Sequence, residues 1–190
     1  MNTEQKKILL KIARLSIKNY LESGKSLIIK RENYPDPQLW EERGTFVTLT
    51  IYNNLRGCIG TIIPVRPLII DVAENAINAA FRDPRFYPLT QKEFPLIEIE
   101  VSILTVPKPL EFKNVRELFE KIRPGIDGVI IRNGPFQATF LPQVWKEIPD
   151  KETFFRDLCL KAGMSGDCFM NPSIEVYTYQ VEAFSEKEFE

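Results

Sequence analysis

Between residues 97 and 103 the chain alternates strictly: Ile97, Ile99, Val101 and Ile103 interleave with Glu98, Glu100 and Ser102. Successive side chains of a strand point to opposite faces, so this pattern admits a β-strand buried on one side only. Such a strand belongs in an antiparallel sheet, because parallel sheets are covered on both faces. Two hairpins supply partners. Thr45–Tyr52 is β-branched and aromatic, Asn53-Asn54 can take the positive-φ positions of a tight turn, and a return strand runs from Leu55 to Ile63 until Pro64 halts it. Gly128–Ile131 and Phe136–Leu141 flank a second turn signal, Asn133-Gly134. Ile174–Phe184 reads as one final strand.

Helical spacing appears between these segments. Residues 4–22 carry Ile8, Leu9, Ile12, Leu15 and Tyr20 on one face, and Gly24 ends the run. Residues 67–81 form an alanine-rich helix. Asn114 caps a short helix with Leu118, Phe119 and Ile122 facing inward, and 153–162 is a helix closed by Gly163. Thr90-Gln91-Lys92-Glu93 is a capping box for one further turn. Helices and strands do not alternate as βαβ units, so the expected class is α+β with an antiparallel sheet.

At 190 residues and 44% hydrophobic content, one compact domain can bury a core large enough to need no staples. Three widely spaced cysteines without a CxxC argue against a disulfide framework and for a reducing, cytoplasmic setting. A net charge of -1 offers no broad field for nucleic acid, and no apolar run has the length of a membrane span. The acidic end of the chain, 186–190, reads as a frayed, solvated tail. Histidine is absent, which excludes Ser-His-Asp and Cys-His catalysis and histidine metal sites. Acid–base chemistry in this chain would fall to carboxylates, Lys, Tyr or Cys. No phosphate-loop motif is present.

One segment asks for more than a core strand does. Leu55-Arg56-Gly57-Cys58-Ile59-Gly60 sets a guanidinium two positions from a thiol, with glycines between and after. Residues two apart share a strand face, so Arg56, Cys58 and Gly60 are expected on one side. A nearby cation favours the thiolate, and glycines allow close approach of a ligand or another backbone. Against this stands the plainer reading of Cys58 as a small buried hydrophobe and Arg56 as a structural donor. In Arg82-Asp83-Pro84-Arg85-Phe86 the two arginines can oppose a helix dipole and Asp83 can cap locally. The functional alternative is an Asp83–Arg85 pair facing the Cys58 strand as an anion clamp. Glu98 and Glu100 share a face and read as a solvent face ahead of a cation site. Cys159 falls on an apolar helix face, and Cys168 lies in an exposed loop with no partner in view.

GTFVTL (44–49), LRGCIG (55–60), DPRFYPL (83–89), IEVSILT (99–105), Gly128-Val129-Ile130-Ile131 and TFLPQVW (139–145) together resemble the AMMECR domain family, whose prokaryotic members are labelled components of an AmmeMemoRadiSam system. The resemblance runs from about residue 5 to 185 and implies a single domain of two unequal lobes. The larger lobe would be an antiparallel sheet flanked by helices, the smaller would also contain β-structure, and LRGCIG would lie near the cleft between them. It further implies partnership with a Memo-like protein and a radical-SAM protein. It implies no particular reaction and no named cofactor. Two functions follow as expectations. In the first, an enzyme or enzyme-system component binds a small anionic or nucleotide-like ligand through Arg56, Gly57, Gly60, Asp83 and Arg85, with Cys58 as candidate catalytic group. In the second, a non-catalytic adaptor docks a partner through LRGCIG. Contact with RNA is a weaker third, against which the neutral charge argues.

Overall fold

The computed structural model describes residues 1–189. Helix α1 (Thr3–Ser23) opens with a reciprocal capping box: Gln5 N–H donates to Asn2 Oδ1 and Asn2 N–H to Gln5 Oε1, each at 2.9 Å. Gly24 ends it at φ +68°, a conformation that glycine takes without a Cβ penalty. Its buried stripe is Leu9, Ile12, Ala13, Ser16 and Ile17; Leu15 falls off that stripe and is exposed. Strands β1 (Thr45–Ile51) and β2 (Asn54–Thr61), helix α2 (Leu68–Phe81) and strand β3 (Ile97–Leu104) follow. Next come β4 (Lys108–Pro109), α3 (Val115–Lys121), β5 (Gly128–Asn133), β6 (Phe136–Phe140), α4 (Lys151–Lys161), β7 (Glu175–Tyr179) and β8 (Val181–Ser185).

The chain divides into two compact units. The first is Met1–Leu104 together with the chain from Glu182; the second is Thr105–Val181. The first holds a sheet of order β2-β1-β3-β8, with β1 antiparallel to both β2 and β3. Val47, Leu49, Ile59, Ile99 and Val101 share a core with the apolar stripes of α1 and α2. The alternation marks a half-buried strand over 97–101, where Ile97, Ile99 and Val101 are buried and Glu98 and Glu100 only partly covered; beyond it both faces are covered, Ser102 being buried as well as Ile103. The second unit holds a sheet of order β4-β7-β5-β6, all pairs antiparallel. Its core joins Val129, Ile131 and Val176 to α3, α4 and an aromatic cluster in which Trp145 stacks on Phe154 at 3.5 Å. The α+β class holds in both.

Four local expectations change. The run Ile174–Phe184 is two strands, not one: it breaks at Gln180, β7 joins the second sheet and β8 the first. The first hairpin turns one residue early, with Tyr52 (φ +51°) and Asn53 (φ +63°) in the left-handed region. Cys159 and Cys168 are joined in a disulfide, and Cys168 is buried. The cause is the left-handed turn at Gly163, after which a short loop folds back over the end of α4. Cysteine usage therefore no longer argues for a reducing compartment. Residues 186–189 form an ordered 3-10 turn instead of a frayed tail, though Lys187 and Glu188 stay exposed, and Glu190 lies outside the described residues. Glu186 accepts from Arg14 Nε at 2.5 Å and from Ile99 N–H at 2.9 Å, and Lys187 pairs with Glu98. No described helix is long and apolar enough to cross a membrane.

Candidate functional site

The return strand β2 is not regular. Leu49 pairs with Gly57 and Thr50 with Leu55, so Arg56 is the extra residue of a β-bulge. A bulge re-aims a side chain without ending the ladder. From Gly57 onward the alternation resumes. Gly57 and Ile59 turn to the helices, while Cys58 and Gly60 turn to the other face, beside Thr48 and Phe46 of β1.

The glycines serve internal packing. A Cβ on Gly57 would lie 2.1 Å from the Ala79 carbonyl oxygen of α2, and one on Gly60 would lie 2.2 Å from the Phe46 ring. Gly57 thus admits another backbone, and Gly60 admits an aromatic ring of the same sheet. The space that a ligand was expected to use at these two positions is filled by the chain itself.

Cys58 is partly buried and is the one free cysteine. Thr48 Oγ1 donates to its sulfur at 3.3 Å. Thr48 pairs with Glu100 on β3, so Cys58, Thr48 and Glu100 form a row across three strands. Burial pushes the thiol above its ordinary value; Asp83 and Glu100 push the same way, while the Thr48 hydrogen bond and Arg85 oppose them. The balance favours the neutral thiol. Of the two readings of Cys58 this environment favours the small, partly buried thiol over the activated thiolate, and the cation opposing the shift is Arg85.

Asp83 follows the end of α2 and is buried. Its Oδ2 accepts the Cys58 N–H at 2.9 Å and Arg85 Nη2 at 2.7 Å; Oδ1 accepts Arg85 Nε at 3.0 Å and the Arg85 N–H at 3.1 Å. This fork holds the Asp83 carboxyl at about 2, Arg85 first among the causes. Arg85 Nη2 also donates to the Cys58 carbonyl at 3.2 Å. The Asp83–Arg85 pair therefore does face the Cys58 strand. Arg82 instead donates to Asn78 on its own helix.

Arg56 is held elsewhere than expected. Its Nε donates to Glu93 Oε1 at 2.8 Å and its Nη2 to the Tyr87 carbonyl at 3.0 Å. Glu93 is the far end of the capping box: its Oε2 accepts Thr90 N–H at 2.9 Å and Thr90 Oγ1 at 2.8 Å. Arg56 leads the causes that hold the Glu93 carboxyl at about 2. Both guanidiniums lie over the ring of Phe86, Arg56 at 5.7 Å and Arg85 at 5.6 Å from its centroid. Of the residues singled out in the sequence, Arg56, Cys58, Asp83 and Arg85 are joined through this network. Thr48, Glu93, Phe86 and Glu100 belong to the same surroundings and were not singled out for it. The capping box was the only signal at Glu93, and it pointed to a turn.

A family model described as AMMECR1 matches residues 10–184. A protein of Methanothermobacter thermautotrophicus is 42% identical over 187 residues, covering 98% of this chain and 96% of the relative. Protein MJ0810 of Methanocaldococcus jannaschii is 41% identical over 191 residues, covering 99% and 93%. The crystal structure of the uncharacterized protein PH0010 from Pyrococcus horikoshii superposes with a TM-score of 0.90 at 37% identity, covering 98% of this chain and 94% of that one.

Proposed function

The chain belongs to the AMMECR1 family, and we propose that its Cys58 face is a recognition surface for a protein partner, of the Memo-like or radical-SAM kind that the family resemblance brings with it. One observation carries this reading: each guanidinium beside Cys58 is already matched to a carboxylate of the same chain, Arg56 to Glu93 and Arg85 to Asp83. A paired guanidinium attracts a free anion weakly, but it is already ordered, so less freedom is lost when it becomes an interface contact. Tyrosine and arginine also lead among residues that anchor interfaces, and Tyr87 is 91% exposed on the loop that Arg56 pins. Leu55, next to the bulge, is exposed as well. A neutral Cys58 suits a contact surface better than a nucleophile.

Co-purification with Memo-like and radical-SAM proteins tests the reading. Tyr87→Ala and Arg85→Ala are expected to abolish a complex that the wild-type chain forms. Retention in both variants, or no complex with the wild type, sinks it.

A second reading rests on Arg85, whose side chain stays 54% exposed despite its partner. Here the same face binds a small anionic or nucleotide-like ligand, Arg85 contacts the anion and Asp83 holds Arg85 in place. Saturable binding of inorganic phosphate or a nucleoside phosphate, lost in Arg85→Ala, would favour it over docking. Absence of saturation at millimolar ligand counts against it.

A further inference from the structure

The second unit contains a covalent tie between helix α4 and a 3-10 turn packed against it. Cys159 lies on the buried face of α4 and is fully covered; Cys168 opens a 3-10 turn at 168–170 and is 7% exposed. Their Cα atoms are 5.8 Å apart across nine positions of sequence. The next residue, Phe169, is buried, with its ring centroid 5.8 Å from that of Phe119 on α3 and 5.8 Å from that of Phe155 on α4. Met170, one position further, turns outward and is exposed. The segment from Phe169 to Tyr177 forms one wall of an open groove of about 620 Å³, and Pro109–Val115 forms the other. The disulfide thus fastens the turn that supplies both an aromatic plug to the core and a wall to the groove.

We propose that the Cys159–Cys168 disulfide is a redox-operated clamp on this groove, opened by a dithiol reductant. A reductant thiolate attacks the sulfur of Cys168, the less covered residue of the two. The S–S bond breaks, Cys159 leaves as thiolate and takes up a proton, and Cys168 is held in a mixed disulfide with the reductant. The second reductant thiolate then attacks the reductant's own bonded sulfur, closes the oxidised reductant and releases Cys168, which takes up the second proton. Two electrons and two protons pass from the dithiol to the cysteine pair. With the tie gone, the ring contacts of Phe169 and the backbone hydrogen bonds of the loop are left to hold the turn, and the wall opens more often.

The test uses the full chain and dithiothreitol. Thiol titration of the folded protein should find one reactive cysteine before reduction, Cys58, and three after it. Amide exchange across 163–172 should become on the order of 10- to 100-fold faster on reduction, while that of 45–61 stays unchanged. The double variant Cys159→Ser, Cys168→Ser should exchange at the reduced rate with or without dithiothreitol. Three reactive thiols before reduction, or exchange in 163–172 that ignores the reductant, overturns the proposal. If the double variant does not fold, reduction of the wild-type chain still decides the question.

Discussion

At residue scale, the site is built from side chains whose roles depend on one neighbour each. Gly57 is the simplest case, because helix and sheet meet there backbone to backbone. Gly57→Ala should destabilise the first unit by about 1–3 kcal/mol, the usual cost of overpacking, read from the urea midpoint. Asp83 carries a pH signature. Its folded value is lowered, so its stabilisation is fully present above the ordinary carboxylate value and is lost as pH falls toward about 2. About 2 kcal/mol should disappear between pH 4 and 2, and Asp83→Asn should flatten that part of the stability profile. Cys58 shifts the other way. Its alkylation rate should rise with pH along a midpoint above that of a free thiol, and Glu100→Gln should lower that midpoint by removing an anion. The sequence marked Arg56, Cys58, Asp83 and Arg85 as chemically unusual. It offered the Asp83–Arg85 pair, two positions apart, but could not say which carboxylate would meet Arg56, because Glu93 lies 37 positions away.

At the scale of the element, periodicity located the strands and helices, and the departures from it are local. A hairpin with Asn53-Asn54 offered two residues tolerant of positive φ, yet Ile51 pairs with Asn54, which leaves Tyr52 and Asn53 as the turn. Tyr52→Asn should relieve the left-handed strain and raise stability by about 1 kcal/mol, seen as a higher melting temperature. Tyr52 is 77% exposed, so little packing is lost in exchange. The bulge at Arg56 had no sequence signal beyond the glycine that follows it. It re-aims the guanidinium toward Glu93. Helix α2 buries polar groups that its apolar spacing did not announce. Asp71 is fully covered, accepts from Thr45 Oγ1 at 2.6 Å and from Asn75 at 3.0 Å, and lies 2.8 Å from Arg66. Burial raises its value. A helical pattern shows which face is inward, and it cannot show that a carboxylate on that face finds partners on a strand, on its own helix and in the loop before it.

At the scale of the whole molecule, the second unit is an insertion between β3 and β8, which are hydrogen-bonded neighbours in the first sheet. Entry and exit are pinned together: Thr105 N–H donates to the Gln180 carbonyl at 2.9 Å, and Gln180 N–H to Thr105 Oγ1 at 2.9 Å. Replacing 105–181 with a short Asn-Gly turn should therefore leave a first unit that still melts cooperatively, followed by circular dichroism. An unfolded product would show that the insertion supplies stability as well as sequence. By itself the amino-acid sequence determined the α+β class, nearly every strand and helix, and the segments where polar chemistry concentrates. Those depend on periodicity and local turn chemistry, which act within a few residues. Only the tertiary structure decided that one apolar run is divided between two sheets, that Cys159 meets Cys168, and that Arg56 is already paired with Glu93. Each of these is a contact between residues brought together by the path of the chain, and no local pattern encodes the partner.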